Sequence, residues 1–161
     1  MAQGYYPDKR GRILMLDMND PSPTVTEAQI TGASLDRDNF NPHGLSSWTN
    51  PHTREITLMV INHFPGQERV EVFRYNRKSR SLEHKKSVTN QLRGILNDLV
   101  MTGEDTFYVT MIAYFNHPLL TWLEESLLLS LGEILFYDGV GIRSVAGGLH
   151  MPNGINTSPD G

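Results

Sequence analysis

The chain has 161 residues, 39% of them hydrophobic and 20% charged, which suits one modest domain with a real core and is too apolar for disorder throughout. Its 14 basic and 18 acidic side chains leave a net charge of −4, so nothing in the electrostatics points to nucleic acid as a partner. The absence of cysteine excludes disulfides, thiolate–zinc sites and a cysteine nucleophile, and no run approaches the ~18 apolar residues of a membrane span.

The N-terminal stretch Met1-Ala2-Gln3-Gly4-Tyr5-Tyr6-Pro7 lacks the apolar core of a secretory signal. A turn over residues 7–11 leads into an apolar strand expected over 12–18, and the Asn19-Asp20-Pro21-Ser22-Pro23 cluster ends it. Residues 24–30 alternate and are rich in β-branched side chains. Further strands are expected over 55–62, 70–75, 81–88, 96–101, 106–110, 133–137 and 142–146. Many short strands between polar turns indicate an all-β, up-and-down fold: a barrel, a sandwich or a propeller. One segment, 118–131, has a different period. Leu119, Leu120, Leu123, Leu127, Leu128 and Leu131 recur at spacings of three and four behind Pro118, which predicts an inserted amphipathic helix. Its leucines either cap the β core or form a surface that meets lipid or covers a site. The chain ends on Ser158-Pro159-Asp160-Gly161, a turn that reads as the approach to a further strand.

Four stretches place polar residues where strands meet turns. In Phe40-Asn41-Pro42-His43-Gly44-Leu45, Pro42 stiffens the backbone before an imidazole and Gly44 permits close approach behind it. Val60-Ile61-Asn62-His63-Phe64-Pro65-Gly66 is a strand that delivers an Asn-His pair at its end. In Gly94-Ile95-Leu96-Asn97-Asp98-Leu99, a carboxylate lies among apolar neighbours and needs a cation, donors or a proton. The fourth stretch is His150-Met151-Pro152-Asn153-Gly154-Ile155-Asn156. Each has an ordinary explanation as turn chemistry or a hydrogen-bonded strand end. Asn and Asp oxygens with a backbone carbonyl fit a hard cation better than zinc. His52, His84, His117 and His150 lie in polar or turn-like contexts and suggest no role.

Taken in order, Asn41-Pro42-His43-Gly44, Asn62-His63, Leu96-Asn97-Asp98 and Asn153-Gly154-Ile155-Asn156-Thr157-Ser158-Pro159-Asp160-Gly161 resemble the paraoxonase (arylesterase/lactonase) family. The resemblance runs through nearly the whole chain and covers under half of the family's domain. It implies about two to three blades of a six-bladed β-propeller, which over residues 1–161 would be an incomplete domain. It also implies two calcium ions per intact domain. Asn97 and Asn153 match ligands of the catalytic ion; Asp98 and the backbone carbonyl of Leu45 match ligands of the structural ion. His43 and His63 match a pair proposed to activate water, and Met151 matches a residue that lines the substrate pocket. The segment from Pro118 matches a helix at a lipid or lipoprotein surface. The chain departs from the family at Met111-Ile112-Ala113, where a polar stretch is usual, and at Phe64, inserted before Pro65.

The resemblance therefore implies a calcium-dependent arylesterase or lactonase that acts on small esters or lactones, extracellular or membrane-associated. The alternative is a catalytically inactive propeller remnant that serves as a binding or structural module. Two neutral asparagines supply few oxygens and no charge for a dication, and an open part-ring leaves sheet edges exposed.

Overall fold

A computed structural model describes residues 10–158. The turn expected at residues 7–11 and the one at 158–161 lie largely outside this range. The elements in chain order are β1 (Leu14–Met15), β2 (Thr26–Glu27), β3 (Gln29–Thr31), β4 (Pro42–Thr49), β5 (Ile56–Phe64), β6 (Gln67–Asn76), β7 (Ser81–Val88), β8 (Ile95–Gly103), β9 (Thr106–Ala113), α1 (Pro118–Ser126), β10 (Gly132–Tyr137) and β11 (Ile142–Leu149). They form a five-stranded sheet of order β3-β7-β6-β5-β4, a four-stranded sheet of order β11-β10-β9-β8, and a β1-β2 ribbon. Mostly strand, in several sheets with one short helix among the described residues, the chain is consistent with part of a β-propeller.

Apolar side chains build two cores, one on each face of the five-stranded sheet. Met59 and Ile61 of β5, Val70 and Val72 of β6 and Val88 of β7 meet Leu96, Leu99, Phe107, Val109, Met111 and Leu135 of the four-stranded sheet. On the opposite face Val60, Phe73 and Leu82 are covered by Ile13, Ala28, Ile30, Leu35 and Phe40 from the N-terminal segment. Successive strand residues point to opposite faces, so neighbours such as Met59 and Val60 enter different cores. Each buried leucine- or phenylalanine-sized side chain stabilises the fold by roughly 1.5–3 kcal/mol.

Several expectations need correction. β4 forms where no strand was expected. The segment 12–18 contributes only a two-residue strand, and 24–30 divides into β2 and β3 around the buried Ala28. The up-and-down pattern is broken where β3 pairs with β7 in parallel. The helix stops at Ser126 instead of 131. Its leucines do not cap the core: Leu119, Leu120, Leu123, Leu127 and Leu128 are exposed, and the buried side chain of α1 is Glu124. Glu124 accepts hydrogen bonds from the backbone N–H groups of Tyr114, at 2.9 Å, and Phe115, at 3.2 Å. A buried carboxylate thus ties the helix to the end of β9.

Candidate active site

The imidazoles of His43 and His63 are in contact. β4 and β5 are antiparallel, with Pro42 opposite Asn62 and Leu45 opposite Val60. Three steps on β4 against two on β5 make a bulge at His43-Gly44, the kind of irregularity that re-aims a side chain. His43 Nδ1 lies 2.7 Å from His63 Nε2, with the rings 5.0 Å apart and steeply inclined. Asn62, which is buried, fixes this corner. Its Oδ1 accepts the Asn41 N–H at 2.8 Å, and the His63 N–H donates to the Asn41 carbonyl at 3.0 Å.

Behind Asn62 is a polar network that the sequence did not reveal. Asn62 Nδ2 donates to Glu71 at 2.9 Å, and Glu71 also meets His84 Nε2 at 2.9 Å and the Ser87 hydroxyl. His84 is therefore not in a turn-like setting; it is buried in β7. Burial pushes the Glu71 pKa up, but hydrogen bonds from His84, Ser87 and Asn62 outweigh it and hold the carboxyl below its ordinary value. His63 has a partner of its own. Its Nδ1 is 2.8 Å from Oε2 and 3.0 Å from Oε1 of Glu68, a buried residue on β6.

The second group of site residues comes from β8 and the segment after β11. Leu96 pairs with Met111 and Leu99 with Val109, so Asn97-Asp98 also occupies a bulge. Gly44 packs directly on it. A Cβ there would lie 2.6 Å from the Asn97 carbonyl oxygen and 2.7 Å from Asp98 Cα, so only glycine fits. Thr110 of β9 ties in the segment after β11: its hydroxyl donates to the Asn153 carbonyl at 2.7 Å and accepts the Asp98 N–H at 3.1 Å. Asp98 Oδ2 accepts the Ile155 N–H at 3.2 Å, and Oδ1 accepts the Leu99 N–H at 2.9 Å.

The structure thus brings His43 to His63, packs Gly44 on Asp98, and links Asp98 to Asn153 through the Thr110 hydroxyl. Leu45 is exposed on β4, and Met151 is also exposed, in a left-handed turn with φ 46° just after β11. Burial lowers the His43 pKa, helped by neighbouring His63, while Asp98 and Glu68 act in the opposite direction. The negative charge of Asp98 is therefore felt at the imidazole. Asn97, Asp98, Asn153 and the Leu45 carbonyl supply oxygen donors only, the chemistry of a hard cation, with Asp98 as their one formal charge. Among the described residues, no cluster of three or more His, Cys, Asp or Glu side chains is placed to hold a metal.

The paired imidazoles are thus backed by the Glu68 carboxylate, and the charge of Asp98 lies near enough to act on His43. The arylesterase family model matches residues 2–161. The chain is 38% identical to serum paraoxonase/arylesterase 1 of Homo sapiens over 99% of its own length and 44% of that protein's. It is 35% identical to serum paraoxonase/arylesterase 2 of Gallus gallus over 98% of this chain and 44% of the relative. It is also 35% identical to serum paraoxonase/lactonase 3 of Oryctolagus cuniculus, over 97% and 44%. The chain belongs to the arylesterase family, and it spans a little under half the length of these curated relatives.

Proposed function

We propose that the protein hydrolyses aryl esters or lactones with water that His43 deprotonates. The observation that carries this reading is the 2.7 Å contact between His43 Nδ1 and His63 Nε2, at an exposed strand end where a substrate can approach. Neutral imidazole is a good base near pH 7. A pair in contact can spread the charge that forms when one ring accepts a proton. In this reading His43 Nε2 takes a proton from water as it attacks the ester carbonyl, and His63 orients and supports the first ring. Met151 contributes apolar surface to the substrate pocket.

Asn97 and Asn153 would hold a catalytic calcium, and Asp98 with the Leu45 carbonyl a structural one; the all-oxygen donor set fits in kind. When bound, calcium would supply positive charge to polarise the ester carbonyl. Asp98 being the one carboxylate of the set is the observation that favours the second reading, an inactive binding or structural module. The two part on one experiment: hydrolysis of phenyl acetate and of a δ-lactone, with calcium present and after chelation. Hydrolysis that chelation abolishes is expected; its absence under both conditions supports the module.

An extracellular setting accords with the serum relatives. The exposed Leu119, Leu120, Trp122, Leu123 and Leu127 of α1 and its cap support a lipid or lipoprotein surface as neighbour. Membrane-interface helices bury such apolar faces. Flotation with phosphatidylcholine vesicles should retain the protein and lose it on Leu120→Ser with Trp122→Ser. Equal flotation of both would remove this assignment.

A further inference from the structure

We propose that Glu68 is a positioning residue of the histidine pair. Its carboxylate holds His63 as the Nδ1–H tautomer and so leaves Nε2 of His43 as the free base. This rests on the reading of His43 as the base.

The placement follows from hairpin register. β5 and β6 are joined by Pro65-Gly66, with Gly66 at φ 76°, and Phe64 is paired with Gln67. A two-residue turn with its glycine at positive φ fixes the register of the strands it joins. The next pair along the ladder is His63 opposite Glu68. Directly opposed side chains are near enough to interact, and here both carboxylate oxygens lie within 3.0 Å of one ring nitrogen. The hairpin end is closed over by Arg69, whose guanidinium stacks 3.3 Å from the Phe64 ring centroid.

The environment limits what Glu68 can do. Its side chain is 6% exposed and that of His63 is 14% exposed. A buried carboxylate needs a partner. Among the described residues, no other hydrogen bond or ion pair reaches it.

The tautomer then follows along the chain of contacts. A carboxylate accepts but does not donate, so His63 Nδ1 carries the proton. In neutral His63 the Nε2 is then a lone pair. It can accept only if His43 Nδ1 carries a proton, and the 2.7 Å separation requires one hydrogen between them. Neutral His43 has one N–H, so its Nε2 is the lone pair that remains. When His43 Nε2 gains a proton, the Nδ1 proton can pass to His63 Nε2, bringing the positive charge next to Glu68.

The test pairs ¹⁵N NMR of the His63 ring with steady-state hydrolysis of phenyl acetate by the whole protein. The wild type should show His63 protonated at Nδ1. In Glu68→Gln the amide can donate to Nδ1 and favour the opposite tautomer, so the Nδ1–H signal should be lost. By analogy with other His–carboxylate pairs, kcat should fall roughly ten-fold or more with KM nearly unchanged. Glu68→Asp keeps a carboxylate, and should retain the Nδ1–H signal and recover much of kcat. An Nε2–H tautomer in the wild type would overturn the proposal. So would parental kcat in Glu68→Gln while His43→Gln is slow. Parental hydrolysis by His43→Gln would remove the base reading first, and the Glu68 proposal with it.

Discussion

Glu71 shows at the scale of one residue how a buried charge is made tolerable. Three donors converge on it, and they hold its pKa below the ordinary carboxyl value of 4.5. A carboxyl whose folded pKa is depressed adds stability above its unfolded value and loses it as pH falls through the folded one. Acid should therefore destabilise the wild type more steeply below about pH 4.5 than it does Glu71→Gln, measured as melting temperature against pH. Parallel curves would show that Glu71 carries no such linkage. His43 and His63 stand out in the sequence because Pro, Gly and Asn flank each imidazole, and the structure places the two rings in contact. Glu68 leaves no such mark, because Gln67-Glu68-Arg69 falls between the expected strands 55–62 and 70–75 and its link to His63 exists only in the cross-strand register. Glu71, His84 and Thr110 escaped for the same reason: alternation in a strand shows which residues share a face, not which strand lies opposite.

At the level of single elements, β4 and α1 show how local pattern can mislead. Pro42, Gly44 and two serines make β4 look like a loop. It lies at the edge of its sheet, where a proline need not donate to a ladder. The helix errs in the other direction. Leucines continue the three-and-four period to Leu131, but the chain closes earlier with Leu128 in the left-handed region at φ 53°. The Leu128 N–H bonds to the Glu125 carbonyl and the Leu129 N–H to the Glu124 carbonyl, a Schellman closure in which glycine is the usual residue. Leu128 is 68% exposed, so a glycine there forfeits little burial and relieves roughly 1–2 kcal/mol of left-handed strain. Leu128→Gly should raise the melting temperature by a few degrees, at about 2–4 °C per kcal/mol for a chain of this size. A lower melting temperature would mean that the leucine contributes contacts worth more than the strain.

Across the whole molecule, strand content and the period switch at Pro118 were legible, because alternation and helical spacing are properties of neighbours in sequence. That both faces of the five-stranded sheet are covered was less so. It shows only as near-continuous apolar runs such as Met59-Val60-Ile61, which burial on two faces produces. The parallel β3–β7 pair joins segments some fifty residues apart and leaves no local mark. The site arises at this scale, where bulges on β4 and β8 meet the segment after β11. The most direct test is the initial rate of phenyl acetate hydrolysis, with calcium, by the wild type and by His43→Gln, each shown to be folded by its thermal transition. Hydrolysis by the wild type is expected, with a drop of roughly 10²–10⁴-fold in the variant, the usual contribution of a general base. Equal rates in the two proteins would contradict it.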